Sequence, residues 1–185
     1  MKHLSKITLL FVIAFGAVAA AGQEPARLRF EKLNGLETRA RDVVEVNVEG
    51  KLLDLARRVM TKSKDPEAQK AALAIRDLKA IYVRVYNFAN ENEYNPADVE
   101  EIRAQLNAPG WERLANVRSK RNNQKIDVYT MFTGDVMSGV AVIVSGTKSI
   151  ALVNVIGPID IDMLAELGGR LNIPDIDIEK ESENK

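Results

Sequence analysis

The chain has 185 residues, with 26 basic and 26 acidic side chains, one histidine and no cysteine. That length suits one domain with a core of its own. Without cysteine there is no disulfide, thiol nucleophile or thiol redox chemistry. With His3 as the sole imidazole, Ser-His-Asp machinery and His-built zinc or copper sites are excluded beyond the first few residues.

Met1-Lys2-His3-Leu4-Ser5-Lys6 is a short basic start, followed by an apolar run from Ile7 to Ala21 and a small-residue exit, Ala19-Ala20-Ala21-Gly22. This order predicts a cleaved secretory signal peptide over residues 1–22. A run of about 15 apolar residues falls short of the roughly 20 that a membrane-spanning helix needs, so no stable membrane span is expected after cleavage. No cysteine follows the run, which closes the lipoprotein route and predicts a periplasmic or secreted product. Loss of Lys2 and Lys6 leaves 24 basic against 26 acidic residues, a balance that gives no overall pull toward nucleic acid.

Arg27 to Arg41 carries Leu28, Leu33, Leu36 and Ala40 at loose helical spacing, interrupted by Gly35. Val44, Val46 and Val48 alternate with Glu45 and Asn47, a strand with one buried face. After Gly50 the period becomes helical, with Leu52, Leu55, Ala56, Val59 and Met60 as the expected inward stripe. Asp65-Pro66-Glu67 is a helix start: a capping carboxylate, a proline where no donor is needed, and an acid at the positive end of the dipole. Lys79 to Phe88 reads as a strand with Ile81, Val83 and Val85 on one face and Tyr82, Arg84 and Tyr86 on the other. Asn95-Pro96 opens the next helix, with Val99, Ile102 and Leu106 as its stripe.

From Trp111 the pattern is strands joined by short polar turns: Trp111 to Arg118, Ile126 to Phe132, Met137 to Ser145 and Ile150 to Ile156. Links this short join antiparallel neighbours. Asp160 then caps an expected helix over Ile161 to Leu167, and the polar tail 179–185 is expected to lack structure. Helices early and strands late predict an α+β fold over residues 23–178. The expected architecture is a two-layer sandwich, a mostly antiparallel sheet with a C-terminal four-stranded meander and helices on one face.

The segment Leu152-Val153-Asn154-Val155-Ile156-Gly157-Pro158-Ile159-Asp160, running on to Leu164-Ala165-Glu166-Leu167-Gly168-Gly169, is particular. With Gly110-Trp111-Glu112-Arg113-Leu114 and Lys125-Ile126-Asp127-Val128-Tyr129 upstream, it resembles the DUF4252 family of exported bacterial envelope proteins. The likeness runs from about Phe30 to Ile173. It implies an exported protein of unknown biochemical role, in a family with many lipoprotein-like members and genes often near sigma and anti-sigma factors. This chain departs by lacking the anchoring cysteine, and the resemblance brings no catalytic residues with it.

Arg118, Lys120, Arg121 and Lys125 crowd one hairpin tip, with Arg113 further along the strand. Such a tip docks an anionic ligand or acidic partner, or is a solvated end whose charges discourage strand-to-strand aggregation. Asp160 and Asp162, like Asp175 and Asp177, are paired carboxylates that read first as helix-start charges and second as cation ligands. Asn90 to Asn95 reads as a polar loop. Gly134 to Gly139 has P-loop glycine spacing, but Val140 stands where lysine is required. Trp111 reads as a core anchor or an exposed platform. The residues therefore predict no catalytic set, no cofactor and no metal. The leading expectation is a non-catalytic module that binds an envelope or extracellular protein, linked to envelope signalling. The alternative is a binder of an anionic glycan or lipid headgroup through the basic tip, and a carboxylate-based hydrolase ranks third.

Overall fold

The computed structural model describes residues 24–121 and 123–159. The signal segment, the helix expected over Ile161 to Leu167, both aspartate pairs and the polar tail lie outside the described residues. No helix among the described residues is long and apolar enough to cross a membrane.

The chain opens with a 3-10 turn (Glu31–Leu33) and the short helix α1 (Asn34–Glu37), then β1 (Asp42–Glu49), α2 (Lys51–Lys62) and α3 (Pro66–Ala74). It continues through β2 (Ala80–Asn87), α4 (Pro96–Gln105), β3 (Trp111–Ser119), β4 (Gln124–Thr133), β5 (Val136–Ser145) and β6 (Ser149–Ile156). The six strands form one sheet in the order β1-β2-β6-β5-β4-β3, with every pairing antiparallel. The expected meander is β3 to β6. The earlier β1–β2 pair adds to its β6 edge, with Tyr82 opposite Asn154. The fold is α+β, with α1 and α4 layered on one face of the sheet.

The two proline-led helix starts form as their local chemistry dictates. The Asp65 carboxylate accepts from the Glu67 N–H at 2.9 Å and the Asn95 side-chain oxygen from the Ala97 N–H at 3.0 Å, each with proline next. Both caps tie off backbone donors that the helix itself leaves free.

The core lies between α4, the N-terminal segment and one sheet face. Val99, Ile102 and Leu106 of α4 meet Leu28, Leu33 and Leu36 from the N-terminal segment over Tyr86, Tyr129, Ile143, Ile150 and Leu152. The leucines expected on a longer helix are thus buried, but Leu28 lies in an irregular segment, Leu33 on the 3-10 turn and Leu36 on the four-residue helix, rather than on one element from Arg27 to Arg41. Asn154, fully buried, stitches this segment down. Its Oδ1 accepts from the Leu28 N–H at 3.0 Å, and its Nδ2 donates to the Ala26 carbonyl at 2.9 Å. Gly139 allows the close approach: a Cβ there would stand 2.5 Å from that of Ala26.

Two burial expectations are corrected. In β1 the alternating valines are the better-covered side, but the cover is thin: Val44 is exposed and Val46 and Val48 are only half-buried, while Glu45, Asn47 and Glu49 opposite them are exposed. In α2 the apolar arc is wider than its cover. Leu53 is 1% exposed, while Leu52, Leu55 and Val59 are 59%, 57% and 63% exposed. Leu53→Ala should therefore cost about 2–4 kcal/mol in urea unfolding, and Leu55→Ala no more than about 0.5 kcal/mol. Equal costs at the two positions would contradict this packing.

The opposite sheet face is apolar as well. In register across it run Val44, Val46 and Val48 of β1, Ile81, Val83 and Val85 of β2, and Ala151, Val153 and Val155 of β6. Val140, Val142 and Val144 of β5, Ile126 and Val128 of β4, and Ala115 and Val117 of β3 continue it. All of these except Val140 remain at least partly exposed. In β2 the tyrosine face is the one that enters the core: Tyr82 and Tyr86 are buried and the Ile81-Val83-Val85 face is not.

Candidate functional site

The β3–β4 hairpin brings the predicted basic residues to one end of the sheet. Arg118 of β3 stands directly opposite Lys125 of β4, on the face that carries α4. Two like charges facing each other across a strand pair repel, so this register carries a local cost unless something negative lies between them. Lys120 and Arg121 occupy the turn, and both are exposed.

The hairpin tip forms one wall of a cleft of about 370 Å³. Arg118, Lys120 and Lys125 line it, together with Ser119, Asn123 and Gln124. Arg121 is not among the lining residues. The second wall is the β5–β6 turn, Ser145 to Thr147, and the third is Asn92, Tyr94 and Pro96 at the start of α4. The Tyr94 hydroxyl donates to the Gly146 carbonyl, and the Asn92 N–H donates to the Thr147 carbonyl at 3.1 Å, which locks these two walls together. Burial raises the Tyr94 pKa, so its phenol stays a neutral donor. The lining holds three cations, hydroxyl and amide groups, and no carboxylate. Such a lining is suited to an anion the size of a phosphate, sulfate or uronate group.

Beneath the cleft sits a buried acid. Asp127 is 1% exposed and contacts Arg103 of α4 at 2.8 Å and Lys125 at 3.4 Å, and it accepts a hydrogen bond from Asn116. Burial alone pushes its pKa up. The Asn116 hydrogen bond, the charge and hydrogen bond of Arg103, and Lys125 outweigh that and hold the carboxyl below its ordinary value. Asp127 therefore stays ionised and holds the Lys125 ammonium. Arg118 and Lys120 have no ion-pair partner among the described residues.

A second cleft, about 310 Å³, lies between the N-terminal segment and β1–β2 and is lined by Glu31, Glu37, Glu45 and Glu49. Glu45 pairs with Arg84 at 3.0 Å, and Glu49 pairs with Arg27 at 3.5 Å and accepts from the Tyr82 hydroxyl. Burial and that hydrogen bond push the Tyr82 pKa up to about 12, so the phenol is no base near neutral pH. A general acid for glycoside cleavage sits where the charged form is disfavoured. Here all four acids are exposed, and Glu45 and Glu49 pair with arginines. Among the described residues, no group of three or more metal-ligating side chains is placed to hold an ion. The sequence reading missed this acidic cleft, because its residues are spread from Glu31 to Arg84 with no local pattern.

Gly134 to Gly139 is the β4–β5 turn and the start of β5. Trp111 is half-buried against both apolar clusters of the core, and Asn90 to Asn95 is a loop held in part by the cap of α4.

The class defined by this architecture is an α+β domain in which a four-stranded meander is extended by an earlier antiparallel strand pair and roofed by the helix between β2 and β3. The chain belongs to the family described as Domain of unknown function (DUF4252), whose sequence profile matches residues 37–167. No curated protein matches the chain.

Proposed function

We propose that this chain is a non-catalytic binding module that works outside the cytoplasm and takes an anionic group in the cleft at the β3–β4 tip. The observation that carries the reading is the Arg118–Lys125 pair, two cations held opposite each other beside Lys120 in a concave lining without a carboxylate. An anion there adds charge-assisted contacts to Arg118 and Lys120 and to Lys125, which shares its charge with Asp127. The basic start, apolar run and small-residue exit of the first 22 residues support the location, and the lack of histidine and cysteine beyond them supports a binding role. The shared chemistry of the ligand is a phosphate, sulfate or carboxylate group, carried by a glycan or by a lipid headgroup.

Binding of dextran sulfate and of phosphatidylglycerol vesicles, measured side by side, separates the two sources. Arg118→Glu and Lys125→Glu should each lower affinity for the true class about 10–100-fold. Affinity for the unaltered protein should fall steeply between low and physiological salt. Arg121→Glu, outside the cleft, should change it far less. Salt-insensitive binding, or equal losses at all three positions, would remove the cleft from the account.

A further inference from the structure

Among the described residues the second sheet face stays partly exposed, and we infer that a second copy of this chain covers it, the two sheets packing face to face as an isologous dimer. This inference is independent of the anion cleft.

An antiparallel sheet with a solvated outer face carries polar side chains there. Here the middle of that face is aliphatic on all six strands, with Val153 at its centre between Val83 and Val142. Polar residues appear only toward its ends, where Asp42, Asn87, Ser149 and Gln124 form one margin and Glu112 stands at the opposite corner. An apolar centre with a polar rim is the anatomy of a protein interface.

The size fits as well. Six strands about 4.8 Å apart, each at least eight residues long at about 3.3 Å per residue, give a face of roughly 700 Å². A stable interface uses about 800 Å² per partner. A single helix, about 10 Å wide, covers only the width of two strands. A second sheet is wide enough, and β-branched side chains on two such faces interdigitate at about 10 Å separation. The same patch on both copies closes the assembly at two and exposes no new apolar surface.

Sedimentation equilibrium of the protein as isolated from cells, over a range of concentrations, tests this. The expected result is a reversible dimer. Val153→Lys should weaken it at least about 100-fold, because the dimer would bury two unpaired ammonium groups at its centre. Val153→Thr keeps shape and strand preference, and should weaken it about tenfold. Circular dichroism and a cooperative urea transition confirm that each variant is folded. A monomer at all concentrations overturns the inference. Two forms of that result identify the true cover. A chain truncated after Ile159 that newly dimerises shows that residues 160–185 occupy the face. Flotation with neutral lipid vesicles shows that a membrane does.

Discussion

Replacing Arg103 with alanine should destabilise the protein by about 3–5 kcal/mol at neutral pH, because it strands a buried carboxylate. Asp127 is almost wholly inaccessible, and Arg103 is its closest cationic partner, at 2.8 Å from α4. Lys125, at 3.4 Å, is a weaker substitute, and Asn116 contributes a hydrogen bond but no charge. The loss should depend on pH in a defined direction. Asp127 has a depressed folded-state pKa, so its contribution is fully present above the ordinary carboxylate value near 4. It fades as pH falls through the folded value. The gap between Arg103→Ala and the unaltered protein, measured by urea unfolding, should therefore be wide at pH 7 and narrow as acid carries the solution through the depressed folded-state value. A gap that stays constant across that range would show that Arg103 acts through packing of its stem instead. The same variant also frees Asp127 to hold Lys125 more tightly, so polyanion affinity should fall with stability.

Gly157→Ala should cost about 3–5 kcal/mol. Gly157 has φ of 128°, a region side chains rarely enter, and an added Cβ would stand 2.7 Å from the Leu78 Cα, 2.8 Å from the Lys79 nitrogen and 2.9 Å from the Asp77 oxygen. All three are backbone atoms, so no rotamer change relieves the clash. Backbone strain and overpacking each add roughly 1–3 kcal/mol. Gly35→Ala is the contrasting control. Gly35 lies in α1 with no positive φ, and nothing stands within 4 Å of its added Cβ. There the substitution should stabilise by about 0.4–1 kcal/mol, chiefly by restricting the unfolded chain. Thermal unfolding of the two variants side by side checks both signs.

These two sites also mark what a sequence discloses. The caps at Asp65 and Asn95 are legible because the donor, the acceptor and the proline lie within three residues of one another. The meander is legible because its turns are short. The placement of β2 beside β6 is not, since Tyr82 opposite Asn154 is a pairing between distant segments that no local pattern encodes. Which face of β2 enters the core is equally hidden: Ile81-Val83-Val85 and Tyr82-Tyr86 are both apolar, and alternation alone does not choose between them. The stripe of α2 misleads for a related reason. Periodicity locates an apolar arc, but the neighbouring chain decides which part of it is covered.

The basic tip shows the same division. Its cations are visible as a charge run, and the hairpin that places Arg118 against Lys125 follows from the turn. The cleft is not visible. Its other walls come from Asn92 to Pro96 and from Ser145 to Thr147, brought there by the α4 crossover and the β5–β6 turn. A run of lysines and arginines on an open hairpin is a solvated end; the same run facing two polar loops is a place for an anion.

The most direct test of that reading is an NMR titration of the folded protein with dextran sulfate at low salt, following backbone amide shifts. The account predicts saturable shifts concentrated at Arg118 to Lys120, Asn123 to Lys125, Ser145 to Thr147 and Asn92 to Tyr94, reversed by added salt. Shifts spread evenly over exposed lysines and arginines, or centred away from these three segments, would contradict it.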